Sequence, residues 1–228
     1  DGKTIVTASD DKTAKVWETT TGKLVSTLIG HSSNVRNANF SRDGKTIVTA
    51  SWDNTAKVWE TTTGKLVSTL TGHTFYVNNA NFSPDGKTIV TASADNTARV
   101  WKTTTGKLVS TLNEHTSNVN NANFSPNGKT IVTASSDGTA KVWKTKTGKL
   151  LSTLTAHTSY VINANFSPDG KTIVTASADN TAKVWETTTG KLVSTLTAHI
   201  STVNNANFSP DGKTIVTASD DKTAKVWE

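Results

Sequence analysis

Histidine, aspartate and hydroxyl residues recur together along this 228-residue chain. His31 is followed by Thr49, Ser51 and Asp53, and Trp59 closes the group. A nucleophilic hydroxyl, an imidazole base and an orienting carboxylate are the parts of an acyl-transfer triad. The set returns as His73/Asp95/Trp101, His115/Asp137/Trp143, His157/Asp179/Trp185 and His199/Asp221/Trp227, while Asp11 and Trp17 have no histidine before them. A catalytic constellation is seldom copied unchanged along a chain, whereas the interior of a repeat protein is, so the set reads as structural and no catalytic residue is expected. There is no metal motif of the HExxH type and no glycine-rich phosphate loop, and the histidines come one per repeat. No metal or cofactor is therefore expected. Cysteine is absent, which excludes disulfides and thiolate chemistry.

The spacing explains the repetition. Equivalent Trp, His and Asp residues stand 42 positions apart, without insertion, and residues 1–18 are identical to residues 211–228. Within residues 31–72 the pattern resolves into four short strands, expected over 35–41, 45–51, 55–60 and 65–71. Asp43-Gly44, Asp53-Asn54 and Thr63-Gly64 supply the turns between them, and the second strand (KTIVTAS) is rich in β-branched residues. Four antiparallel strands in about 40–45 residues make one propeller blade. The expected fold is thus an all-β propeller within one domain, residues 1–228, with blade segments 1–30, 31–72, 73–114, 115–156, 157–198 and 199–228. The first and last blades would be incomplete.

The Gly-His pair, the FSPDGK turn, the TAS-x-D-x-T segment and the strand ending in Trp resemble the WD-repeat family over the whole chain. The near-identical copies resemble recently amplified bacterial arrays or an engineered piece of one. The chain departs from the family pattern in three places. Glu or Lys follows the Trp, never Asp; glycine precedes the His only at Gly30 and Gly72; Arg42 stands where Pro84, Pro126, Pro168 and Pro210 stand. The resemblance implies a hydrogen-bonded network inside each blade, in which His31 bonds Asp53 and either Thr49 or Ser51, and the Trp59 indole donates to that hydroxyl. It implies the same for the four equivalent sets named above.

Comparing the copies with each other isolates the positions that vary. Three and five residues after the histidine stand Asn34 and Arg36, Tyr76 and Asn78, Asn118 and Asn120, Tyr160 and Ile162, Thr202 and Asn204. Just before the turn aspartate stand Asp10, Trp52, Ala94, Ser136, Ala178 and Asp220, and Phe75 and Ile200 depart beside their histidines. In the family resembled, these positions lie on one face, around the mouth of the central channel. Neutral drift at exposed loops would yield mostly polar changes. Arg36, Trp52, Phe75, Tyr76, Tyr160 and Ile162 instead read as a rim for a protein or peptide partner. The formal charge of +6 is spread over turn lysines such as Lys45, Lys65, Lys87 and Lys107, expected on the opposite face. Lysines dispersed in this way keep strand ends soluble and disfavour nucleic acid or membrane as partner.

The chain lacks an initiator Met and opens on Asp1-Gly2-Lys3, inside a turn motif, so it reads as a piece of a longer protein. Three closures are open: six blade positions with two three-stranded blades, five blades with 23–29 completing the last, or completion by a second copy through strand exchange. The functional expectation is a non-catalytic interaction scaffold or sensor module, cytoplasmic in location. The alternative is an excised or engineered fragment, without independent function, made to study folding and assembly.

Overall fold

A computed structural model describes residues 2–228; Asp1, which opens the expected 1–30 segment, lies outside the described residues. The chain divides into two compact units, Asp1–Thr111 and Leu112–Glu228. The first begins with a three-stranded sheet of β1 (Thr4–Ala8), β2 (Thr13–Glu18) and β3 (Leu24–Ile29). Two four-stranded sheets follow: β4 (Val35–Phe40), β5 (Thr46–Ser51), β6 (Ala56–Glu60) and β7 (Leu66–Leu70), then β8 (Val77–Phe82), β9 (Thr88–Ser93), β10 (Ala98–Lys102) and β11 (Leu108–Leu112). The second unit repeats the design with β12 (Val119–Phe124), β13 (Thr130–Ser135), β14 (Ala140–Lys144) and β15 (Leu150–Leu154). Its next sheet is β16 (Val161–Phe166), β17 (Thr172–Ser177), β18 (Ala182–Glu186) and β19 (Leu192–Leu196). It ends with the three-stranded β20 (Val203–Phe208), β21 (Ile215–Ser219) and β22 (Ala224–Trp227). Neighbouring strands are antiparallel and consecutive in sequence. The architecture is all-β, six blade-type sheets of a propeller, the first and last with three strands.

The strands end one residue inside several sequence-derived limits for a local reason. Ser41 belongs to the turn, not to β4: its hydroxyl donates to Asp43 at 2.7 Å and accepts the Thr46 amide at 3.0 Å. β3 stays paired with β2, so segment 23–29 does not leave its own sheet to complete another.

β5 and its copies are buried from both sides, which is why their sequence is a continuous run of small and β-branched residues. Successive side chains point to opposite faces. Val48, Ala50 and Val58 face the third sheet and meet Ala80, Ile89 and Trp101 there. Ile47 and Trp59 point the other way and meet Ala14, Val16 and Leu28 of the first sheet. In the second unit Val132, Val142 and Leu154 meet Ile173 and Trp185 in the same manner. The second and fifth sheets are therefore spacers with two apolar faces, and a one-residue slip would exchange them.

Two polar devices tie neighbouring sheets together. Ser26 and Ser68 on the outer strands donate to the carbonyls of Thr61 and Thr103 in the next sheet, both at 3.0 Å. The turn that carries Thr103 approaches so closely that a Cβ at Gly106 would lie 2.8 Å from the Thr69 carbonyl oxygen, and φ there is +64°. On the inner strands the Asn39 amide donates to the Ala80 carbonyl at 3.0 Å and to Asn81 at 2.7 Å. Asn123 reaches Ala164 and Asn165, and Asn165 reaches Ala206 and Asn207.

Trp101 is 1 % exposed, whereas Trp17, in the equivalent place on β2, is half-buried. Trp101→Ala is expected to cost about 3–5 kcal/mol through lost burial and a cavity. Trp17→Ala should cost clearly less. Urea denaturation of both variants checks this, and equal losses would contradict the packing account.

Candidate functional site

The histidine sets come together as closed networks. His31 Nδ1 lies 2.7 Å from Asp53 Oδ2, its Nε2 lies 2.7 Å from Thr49 Oγ1, and the Trp59 indole N–H donates to that same Oγ1 at 2.8 Å. Thr49 takes the place that the sequence left open between Thr49 and Ser51. Ser51 instead donates to the Ser33 carbonyl at 3.1 Å and accepts the Asp53 amide at 3.1 Å. With an ionised Asp53 as acceptor, Nδ1 carries the proton, and the Thr49 hydroxyl donates to Nε2 while accepting from Trp59. The arrangement recurs around His73, His115, His157 and His199 with His–Asp distances of 2.6–2.7 Å. Thr91, Thr133, Thr175 and Thr217 hold the hydroxyl position under Trp101, Trp143, Trp185 and Trp227. In the first sheet, which has no histidine, Trp17 still donates to Thr7 at 2.9 Å.

These hydroxyls are poor nucleophile candidates. Thr49, Thr91, Thr133 and Thr175 are fully buried, so no substrate reaches them. What the network does is satisfy every polar group it buries. Each aspartate is also bonded to its turn: Asp53 accepts from the Ser32 and Thr55 amides and the Thr55 hydroxyl. Burial pushes the Asp179 carboxyl up, but Thr181, His157 and the Thr158 amide outweigh it and bring the group to about 2. Burial holds His73, His115 and His157 below the usual imidazole range against the opposing pull of their aspartates. Among the described residues, no group of three or more His, Asp or Glu is placed to hold a metal ion.

The varying residues sit on features fixed by the backbone. Val35 pairs with Ser51 and Asn37 with Ala50, so Arg36 is the extra residue of a β-bulge at the start of β4. Asn120, Ile162 and Asn204 occupy the same bulge in later sheets. A bulge turns a side chain out of the pleat. The Trp52 amide donates to the Asn34 carbonyl at 3.0 Å, and Ala94, Ser136, Ala178 and Asp220 repeat that bond to Tyr76, Asn118, Tyr160 and Thr202. The three variable positions of one repeat are thus neighbours.

In the first unit four of the six expected rim residues form one cluster. Trp52 stacks on Tyr76 of the next sheet, with ring centroids 5.1 Å apart and planes at 23°. Phe75 lies 4.4 Å from Tyr76, and the Arg36 guanidinium sits 4.8 Å over the Trp52 ring. Arg36 also approaches Asp10 of the first sheet at 3.6 Å. Phe75 is 48 % exposed and Tyr76 39 %. In the second unit Tyr160 is 58 % exposed and shares a cleft of about 360 Å³ with Ser136, Asp137, Gly138 and Thr158. Ile162 is half-buried at its bulge. Lys45 and Lys65 line a separate cleft of about 450 Å³ with Glu60, Leu66 and Val67, where the glutamate offsets part of their charge.

Sequence reasoning missed the asparagine ladder. Its signal was present: Asn-Ala-Asn recurs in each inner strand, placing two amides on one face of a strand that packs against another sheet. The ladder also engages Asn39, Asn123 and Asn165, three of the asparagines in Asn-Phe-Ser sequons.

His115→Ala is expected to cost about 1–3 kcal/mol, because Asp137, Thr133 and Trp143 lose a shared partner; an unchanged Tm would contradict the network. The pH dependence has a definite sign. His73, His115 and His157 bind protons less well folded than unfolded, so their contribution is complete above the ordinary value of 6.5 and erodes as pH falls below it. Asp179 adds stability above 3.8 that is lost as pH falls toward its folded value. Thermal unfolding should therefore show a flat Tm at pH 7–8 and a steady fall below about 6.5. A maximum at pH 5 would contradict this.

Comparison with known families agrees with the repeat read from the residues. The WD domain, G-beta repeat profile matches six times, at residues 1–18, 22–60, 64–102, 106–144, 148–186 and 190–228. A search of curated proteins returns no match. No helix among the described residues is long and apolar enough to cross a membrane. Six matches covering most of the chain, on six sheets with the expected strand order, settle the affiliation: the chain belongs to the WD-repeat family.

Proposed function

We propose that this chain is a non-catalytic protein-interaction module, as WD-repeat proteins generally are, and takes a protein or peptide partner on the surface formed by Arg36, Trp52, Phe75 and Tyr76; the second unit by itself offers Tyr160 and Ile162 as contacts. The observation that carries this reading is the aromatic cluster. Trp52 and Phe75 replace the small or polar residues of every other repeat, Tyr76 recurs only as Tyr160, and two of the three rings are exposed instead of packed into the core. Large, semi-rigid aromatic groups lose little conformational freedom on binding and are enriched where binding energy concentrates. A constant frame carrying a varied surface is a common arrangement for recognition.

Peptides selected on the intact chain from a random display library test this reading. Their affinities should fall by roughly tenfold or more on Tyr76→Ala or Phe75→Ala, since truncation at a binding centre costs about 1–2 kcal/mol or more. The Tm should change little, because both rings lie outside the core. Selected peptides that bind both variants as tightly as the parent would overturn the assignment of this surface.

A further inference from the structure

The cluster is not a uniform apolar patch, and its parts are arranged unequally. Trp52 is half-buried, with the Tyr76 ring stacked on it at 5.1 Å and the Arg36 guanidinium over it at 4.8 Å. Its ring is largely taken up by these two neighbours. Arg36 projects from the bulge, and its side chain stays 46 % exposed. Among the described residues its ionic neighbour is Asp10, 3.6 Å away on a side chain 71 % exposed, longer than a charge-assisted hydrogen bond. The nearby carboxylate of Asp53 is turned inward to His31 and to the Thr55 and Ser32 amides. A guanidinium seated over an indole can present N–H groups away from the ring, and a pair of such groups matches a carboxylate.

We infer that this surface selects acidic peptide segments. A partner carboxylate would pair with the N–H edge of Arg36, while an adjacent apolar side chain packs on Phe75 and Tyr76. The inference rests on the interaction surface proposed above and adds the partner's chemistry. It also gives the residues distinct tasks. Arg36 and Phe75 are contacts. Trp52 is a positioning residue that fixes the guanidinium, and Asp10 is a weak internal competitor for it. The chain's net charge of +6 acts in the same direction.

The test uses the intact chain and three fluorescein-labelled peptides: acetyl-Glu-Leu-Glu-Leu-Gly amide and its counterparts with Gln or Lys in place of both Glu. The Glu peptide should bind more tightly than the Gln peptide by roughly three- to tenfold at low salt, a margin that shrinks as salt is raised. Arg36→Gln should remove that margin and leave the Gln peptide's affinity unchanged. Trp52→Ala should reduce the margin in the same way, and Asp10→Asn should widen it. Phe75→Ala should weaken the Glu and Gln peptides alike. Equal affinity for the Glu and Gln peptides, both lost on Phe75→Ala, would overturn the acidic preference while leaving the interaction surface standing. Tighter binding of the Lys peptide would overturn it in favour of recognition through Asp10. Failure of all three peptides to bind would overturn both the preference and the surface.

Discussion

In the second to sixth sheets the turn that opens the third strand is held by a buried bond between an imidazole and a carboxylate. Asp53 stands between two demands. One of its oxygens closes the turn through Thr55, and the other takes His31 and the Ser32 amide from the segment that enters β4. The first strand of the sheet is thereby tied to the turn between the second and third. His31 passes the constraint inward through Thr49 to Trp59, whose ring packs against the preceding sheet. One polar chain thus links a surface turn to the contact between sheets. Each member is buried, so each must be bonded, and the loss of any one strands the others.

That constraint accounts for the division of labour along the repeat. Residues 49, 53 and 59 and their copies cannot change without orphaning a buried group. Residues 36 and 52 flank the network and take no part in it. The bulge carries Arg36 away from the pleat, and the Trp52 amide is fixed by backbone alone through Asn34. Side chains at these places are free to differ, and they do. Where two of them meet across neighbouring sheets, as Trp52 and Tyr76 do, the pairing depends on a frame that neither residue helps to build.

Much of this was legible before any coordinates. The 42-residue spacing, the β-branched run KTIVTAS and the turn dipeptides carried the strand order and count, because β-branched residues favour strands and turn residues mark their ends. The identity of the hydroxyl partner was not legible. Thr49 and Ser51 are both on the same face of β5, and only the depth of the histidine decides between them. The bulge at Arg36 was hidden because an extra residue in a strand leaves no mark in composition. The role of Trp52 was hidden for a different reason. An unusual aromatic in a turn announces a surface feature, but not that its ring is occupied by Arg36 and Tyr76. The asparagine ladder went unread because amides in strands look like ordinary solvent-facing residues until a second sheet lies against them.

The bulge has a consequence for how such a surface changes over time. The segments around it are near-copies, down to the identity of residues 1–18 with 211–228. Exchange of genetic material between misaligned repeats would therefore preserve every bond of the frame. It would, however, move whole sets of bulge and turn residues from one sheet to another, bringing new pairs of side chains together where Trp52 now meets Tyr76. A chain built this way can rewrite the side chains of this surface by recombination, in single events, without passing through unstable intermediates.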